Sequence, residues 1–187
     1  MISRHVTLAL LLALAPLAHA SEVKKDREAA SKSVEHPAPP VAGVKPVPLS
    51  NLYNEHTLEW LAVDPAALPV NADHFLRDHY TNEAMQMARQ LVPIVVAAAQ
   101  HFKIDTVNIV SAFRHPKFNL VLRKKGHQVA RDSQHSHGNA IDFFLATIPT
   151  QVLHAWAKAQ KRGGVGIYLQ SGFVHMDIGP VRYWSGD

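Results

Sequence analysis

The sequence predicts an α+β fold, a small and mainly antiparallel sheet with helices packed against it. Three observations carry this reading. Short strand-like runs gather late in the chain, at Ala140 to Leu145, Val165 to Leu169, Phe173 to Ile178 and Val181 to Trp184. Apolar residues recur at helical spacing in two longer stretches, Glu83 to Phe102 and Gln151 to Arg162. A chain of 187 residues without internal repeats is long enough for one domain with a real core, and hardly for two.

In chain order, Arg4 and His5 precede the apolar run Val6 to Leu17, and Ala18-His19-Ala20 places small residues where a signal peptidase reads. Residues 1–20 are therefore expected to be a secretory signal, cut after Ala20, in a periplasmic protein. The run is shorter than the roughly 20 residues of a membrane-spanning helix, although an uncleaved form would act as an anchor. Residues 21–48 pass from charged and small residues to Pro37, Pro39, Pro40, Pro46 and Pro48. Such a stretch buries little apolar area and reads as a linker. The folded domain is expected over residues 49–187.

Within it, Thr57 to Val63 reads as a strand ended by Pro65 and Pro69. His74 to His79 reads as a short helix capped by Asn71 or Asp73. The stretch Glu83 to Phe102 predicts a helix capped by Asn82 and kinked at Pro93, with Met85 and Met87 as core filler. Val107 to Phe113 follows as a strand, with His115-Pro116 as its breaker. Phe118 to Lys125 then reads as a helix closed by Gly126. Thr150 is the expected cap of the helix Gln151 to Arg162, which Gly163-Gly164 should stop.

Composition narrows the function. Lys plus Arg number 19 against 15 acids, a net charge of +4 that is scattered and gives no argument for nucleic acid. The absence of cysteine excludes a disulfide framework, a thiol nucleophile and lipid attachment at cysteine. Neither a serine nucleophile elbow nor the pattern His-Glu-x-x-His occurs.

The chemistry concentrates in Ser133-Gln134-His135-Ser136-His137-Gly138-Asn139-Ala140-Ile141-Asp142 and in Phe173-Val174-His175-Met176-Asp177. Two imidazoles and a carboxylate form the ligand set of a catalytic zinc site that keeps one position open. Alternation along a strand puts Asp142 on the face of small Ala140, and leaves Ile141, Phe143 and Leu145 on the other face to anchor it in a core. His135, Asp142 and His175 are the expected ligands of one zinc ion per chain.

These residues also carry a resemblance. The pattern His135-x-x-Gly138-x-Ala140-x-Asp142, preceded by Ser133 and followed by the His175-x-Asp177 strand, resembles the LAS metallopeptidases, named for lysostaphin, the D-Ala-D-Ala metallopeptidases and sonic hedgehog. Leu52 to Thr57, Ser111-Ala112-Phe113-Arg114, Gly163 to Tyr168 and Phe173 to Trp184 are most similar to its murein endopeptidase K branch. Over residues 49–187, the resemblance implies a zinc peptidase that cuts peptide cross-links in peptidoglycan, including those between two diaminopimelate residues. It leaves open a D,D- or L,D-carboxypeptidase, and a non-catalytic zinc module of the hedgehog kind.

A peptidase needs a base for the water proton. Many LAS enzymes place an acid or histidine just before the last ligand, whereas Gly172 and Phe173 stand there in this chain. Asp177, two residues beyond His175 and on the same strand face, is the expected base, with a structural carboxylate paired to Arg182 as the alternative. His137 is a weaker candidate for the base and reads more readily as a turn residue. Arg114 is expected to bind a substrate carboxylate or the developing oxyanion, or else to pair with Asp132 or Asp142. Ser111 and Ser133 are expected at the substrate as positioning groups. Arg123-Lys124-Lys125 forms a basic run beside the presumed groove.

Overall fold

The computed structural model describes residues 50–64, 69, 71–127 and 129–186; the expected signal and linker lie outside them. Strands β1 (Ser50–Asn54) and β2 (Trp60–Val63) form a hairpin, followed by the short helix α1 (Ala72–Phe75) and by α2 (Leu91–Phe102). Next come β3 (Thr106–Ser111), α3 (Pro116–Lys124), a 3-10 turn (Gln134–His137) and β4 (Ala140–Phe144). The chain closes through α4 (Thr150–Ala159), β5 (Gly164–Tyr168), β6 (Phe173–Asp177) and β7 (Arg182–Gly186).

The seven strands join in the order β2-β1-β3-β4-β6-β5-β7. The expected α+β class stands, but the sheet is mixed. β1 runs parallel to β3, and β5 parallel to β7, while β3, β4, β6 and β5 pair antiparallel. A crossover through α1 and α2 returns β3 alongside β1, and β7 docks on the far side of β5 after the β5–β6 hairpin. Neither return has a period in the sequence.

Helix α2 buries Leu91, Ile94, Val95, Ala98 and Ala99, and α4 buries Leu153 and Ala157. Both join one core cluster with Ile141 and Phe143 of β4 and with Val174 and Met176 of β6. Period-two alternation therefore turns Asp142, His175 and Asp177 to the opposite face of the sheet. Packing of Ile141 and Phe143, both fully buried, fixes that register, because a slip by one residue would exchange the faces.

Four expected helices are corrected. The helix foreseen from Glu83 begins only at Leu91. Residues 82–88 form no helix or strand, because their backbone is engaged elsewhere: Met87 N–H donates to Asp73 Oδ1 at 2.9 Å, and Ala88 N–H to the Gly138 carbonyl at 2.8 Å. Pro93 then falls in the first turn, where an amide has no partner within the helix, so it causes no kink.

The short helix is Ala72–Phe75, with no side-chain cap at Asn71. Thr150 is the first residue of α4 rather than its cap, and the helix stops at Ala159, ahead of Gly163-Gly164. Those glycines serve a close approach instead. A Cβ at Gly163 would collide with the Asp177 carbonyl, and one at Gly164 would crowd Arg182 and the Asp177 carboxylate. Helix α3 starts two residues early, at Pro116, where His115 Nδ1 accepts from Lys117 N–H at 3.1 Å as an N-cap.

Candidate metal centre

The site is assembled by one strand pair and one turn. In the β4–β6 pairing Asp142 stands directly opposite His175. The 3-10 turn before β4 brings His135 over the same face, and Gly138 closes it at φ 69°. Only glycine suits that position: the backbone is left-handed, and a Cβ would lie 2.8 Å from the Gln86 carbonyl. The turn is further held by Arg114 N–H donating to the His135 carbonyl at 3.1 Å, and by Asn139 N–H donating to the Gln134 carbonyl at 2.9 Å.

His135 Nε2, His175 Nδ1 and Asp142 Oδ1 converge with separations of 3.1, 3.2 and 2.8 Å. All three residues are buried. Zinc–ligand bonds of about 2.0–2.1 Å in tetrahedral geometry separate neighbouring donors by about 3.3 Å. The triangle has that size.

Proton positions make the case stronger. His135 Nδ1 lies 2.7 Å from the Ala112 carbonyl, which can only accept, so Nδ1 carries the hydrogen. On the other ring, His175 Nε2 lies 3.0 Å from Asp177 Oδ2, whose charge is held by Arg182 at 2.6 Å. The outer nitrogens are thus the donors, and both inner nitrogens turn lone pairs toward the carboxylate of Asp142. With both rings neutral, three electron pairs are directed at one buried point, and a cation there, either a proton on His175 or a metal ion, relieves their repulsion. This donor set and these outer partners fit a transition-metal ion.

Electrostatics around the triad divide accordingly. Burial pushes the His135 imidazole below its ordinary pKa, beyond what Asp142 restores. Burial also opposes charge on His175, but the carboxylates of Asp142 and Asp177 outweigh it and raise that group. Asp142 is held far below the usual carboxylate range, because the two histidines overcome the cost of its burial.

The triad opens on a cleft of about 590 Å³, whose walls include Arg114, Ser133, Tyr168, Phe173, Arg182 and Trp184. Among known proteins, residues 63–184 match the family described as peptidoglycan L,D-endopeptidase MepK. The chain belongs to this family. The chain is 32% identical over 116 residues to "Probable peptidoglycan L,D-endopeptidase MepK" of Haemophilus influenzae, covering 61% of this chain and 62% of that one. It is 31% identical over 119 residues to "Peptidoglycan L,D-endopeptidase MepK" of Escherichia coli K12, covering 60% and 62% respectively. The match thus spans less than two thirds of either relative. No solved structure gives a match.

Within this MepK-family site, the structure places the sequence-predicted residues as follows. His135, Asp142 and His175 meet. Arg114 lies beside them, with Nη2 3.6 Å from Asp142 Oδ2 and 3.4 Å from Ser111 Oγ, and with Nε lacking a partner among the described residues. Ser111 pairs opposite Asp142 in the β3–β4 ladder, at a register shift that re-aims the strand end. It steadies Arg114 and does not line the cleft. Ser133 is buried beside His135 and does line it. His137 is exposed and bonds Asp132 at 2.6 Å, away from the triad.

Asp177 lies elsewhere than a base requires. Its carboxylate is fully buried, sits behind His175 on the far ring nitrogen, and is absent from the cleft wall. Both oxygens are occupied, Oδ1 by Gly164 N–H and Gly179 N–H at 2.9 Å each, Oδ2 by His175 and Arg182. Burial alone would raise its pKa, but these donors hold it well below the usual carboxylate range. Two residues along a strand do return to the same face, yet the ring of His175 intervenes between Asp177 and the open position.

The wall formed by Trp184 and Tyr168 escaped sequence reasoning as a functional feature. In the ladders Gly166 stands between His175 and Trp184. Its missing side chain lets the indole lie across the strand, where a Cβ would come within 2.5 Å of the ring. The indole centroid is 5.1 Å from that of His175, Arg182 covers its outer side at 5.0 Å, and Trp184 Nε1–H donates to the Tyr168 hydroxyl at 3.2 Å. The signal was present in Gly164-x-Gly166 and Arg182-x-Trp184, but only the β5–β7 pairing shows that they meet.

Proposed function

We propose that this chain is a zinc-dependent endopeptidase that hydrolyses peptide cross-links of peptidoglycan, of the L,D type and between two diaminopimelate residues. The observation that carries this reading is the pair of outer hydrogen bonds, from His135 to Ala112 and from His175 to Asp177, which turn the inner nitrogens of both rings toward the Asp142 carboxylate at one point facing an open cleft. His135, Asp142 and His175 would hold the ion. When bound, zinc supplies Lewis acidity, by which water becomes a nucleophile near neutral pH and a carbonyl is polarised.

The chain's own residues do the rest. Asp177 fixes the tautomer and orientation of the His175 ring, a positioning role in place of the base foreseen from its spacing. Arg114, on the cleft wall beside the triad, would stabilise negative charge developing on the scissile carbonyl oxygen. Ser111 steadies that guanidinium. Ser133 offers a polar group on the cleft wall beside His135. The Trp184 indole shields one side of the triad, which lowers the local dielectric and strengthens each of these interactions.

Peptidoglycan lies outside the cytoplasm. The apolar run before Ala20 supports export to the periplasm, and no helix among the described residues is long and apolar enough to cross a membrane. Digestion of purified sacculi, followed by mass spectrometry of the muropeptides, tests the activity. Splitting of dimers joined through diaminopimelate is expected. Shortened monomers instead would indicate a carboxypeptidase, and an unchanged profile from zinc-loaded protein would remove the catalytic reading.

A further inference from the structure

Arg114 reaches the cleft from the connector between β3 and α3, residues 112–115. Few contacts fix its guanidinium from outside. Nη2 lies 3.4 Å from Ser111 Oγ and 3.6 Å from Asp142 Oδ2, both long for the bonds they make, and Nε has no partner among the described residues. The aim of the side chain is therefore set largely by its backbone. Three consecutive amides hold that backbone. Phe113 N–H donates to the Leu76 carbonyl at 3.0 Å, Arg114 N–H to the His135 carbonyl at 3.1 Å, and His115 N–H to Asp78 Oδ2 at 2.8 Å. Two of these acceptors stand just after α1, and Asp78 alone of the three accepts through a side chain.

Asp78 is only 1% exposed. Its Oδ1 accepts from the amides of Tyr80 and Thr81 at 2.8 and 2.6 Å and from the Thr81 hydroxyl at 3.1 Å, which closes the turn that follows. An asparagine would serve that turn equally well, without bringing an ionisable group out of water. The second oxygen makes the difference. Only a carboxylate accepts on both sides, and Oδ2 directs that capacity to His115, 37 residues away in the chain. A side chain needed for its own turn alone has no use for it.

We propose that Asp78 is a positioning residue for Arg114: from behind the cleft it sets where the guanidinium meets the scissile carbonyl. This rests on the endopeptidase reading for the part that Arg114 plays, while the link between the two residues can be observed without substrate.

In Asp78→Asn the amide oxygen keeps the turn, and the NH₂ group faces His115 N–H, donor against donor. Hydrogen exchange followed by NMR is the first readout. The His115 amide should be protected in the native chain and should exchange about tenfold or more faster in the variant, the loss of one hydrogen bond. The Arg114 Nε–H signal should move with it, while the amides of β4 and β6 keep their protection. Turnover of diaminopimelate-linked muropeptide dimers is the second readout. Asp78→Asn should retain zinc and lower kcat by about tenfold to 10²-fold, the effect of a misplaced group, with KM little changed. In an Arg114→Lys background the same substitution should lower kcat by less than about twofold, because the group it acts through is already gone. Thr81→Val removes the hydroxyl from the same turn, leaves the bond to His115, and should keep native kcat.

An unprotected His115 amide in the native chain, or an Arg114 Nε–H signal unmoved in Asp78→Asn, would break the link. Failure of Asp78→Asn to fold, loss of its zinc, equal kcat losses in the two backgrounds, or a matching fall in Thr81→Val would each reduce Asp78 to a structural residue and overturn the proposal. Absence of turnover by the zinc-loaded native chain counts instead against the endopeptidase reading, and the NMR signals alone then decide whether Asp78 places Arg114.

Discussion

Replacing Asp177 by Asn separates a positioning role from a catalytic one. The native carboxylate accepts from His175, Arg182, Gly164 and Gly179, and it donates nothing. An asparagine can keep its oxygen toward the two backbone amides, but its NH₂ group then faces the hydrogen of His175 Nε2 and the guanidinium of Arg182. The conflict with His175 is relieved when the ring adopts the other tautomer. That places a hydrogen on Nδ1, where the ion needs a lone pair. Loss of such an outer partner typically lowers metal affinity by about 10–100-fold, and the upper part of that range is expected because the substitution reverses a donor.

Breaking a buried pair costs about 3–5 kcal/mol, and the half-exposed Arg182 side chain places this case near the lower end. Competition with a chromophoric chelator gives the zinc affinity, and urea unfolding of the metal-free protein gives the stability. Unchanged affinity and stability with turnover reduced by about 10²–10⁴-fold would refute the reasoning and restore Asp177 as the general base.

Alanine at His135, Asp142 or His175 should each abolish stoichiometric zinc in metal analysis, and full occupancy in any variant removes that residue from the set. Arg114→Lys should keep zinc and lower turnover by about 10²-fold or more, because a point charge replaces a fork that reaches both Ser111 and the cleft. Gly166→Ala should displace the indole of Trp184, seen as a shift in tryptophan emission with far-ultraviolet dichroism unchanged. The pH dependence has a definite sign. Asp142 and Asp177 are depressed in the folded state, so their stabilisation is present above the unfolded carboxyl pKa of about 3.9 and is lost as pH falls through the folded values. Unfolding curves of the metal-free protein between pH 6 and 2 should show that decline, with a shallower one in Asp177→Asn.

The convergence of His135, Asp142 and His175 was readable because its chemistry is local. His135 and Asp142 are joined by one turn and one strand, and the apolar face of Ile141 and Phe143 fixes which way Asp142 points. His175 required only that β6 pair with β4. The role of Asp177 was not readable, since strand alternation gives its face but not the ring that stands in front of it. Helix propensity misplaced residues 83–90 because the amides of Met87 and Ala88 bond to Asp73 and Gly138, and such long-range bonds leave no local period. The parallel pairing of β7 with β5 was hidden in the same way, and with it the reason for Gly166.

The separation of the three ligands along the chain sets an order of assembly. An unfolded chain offers His135 and Asp142, seven residues apart, but His175 only another 33 residues on. The third donor arrives when β4 and β6 zip together, and the outer partners of the two histidines come from Ala112, just after β3, and from β6. On the proposed ligand set, ion capture would be a late event that reports the β4–β6 pairing, and the ion would act on the assembled sheet rather than on its precursors. A ligand that binds only the native state stabilises it by about 4 kcal/mol at a thousand times its dissociation constant.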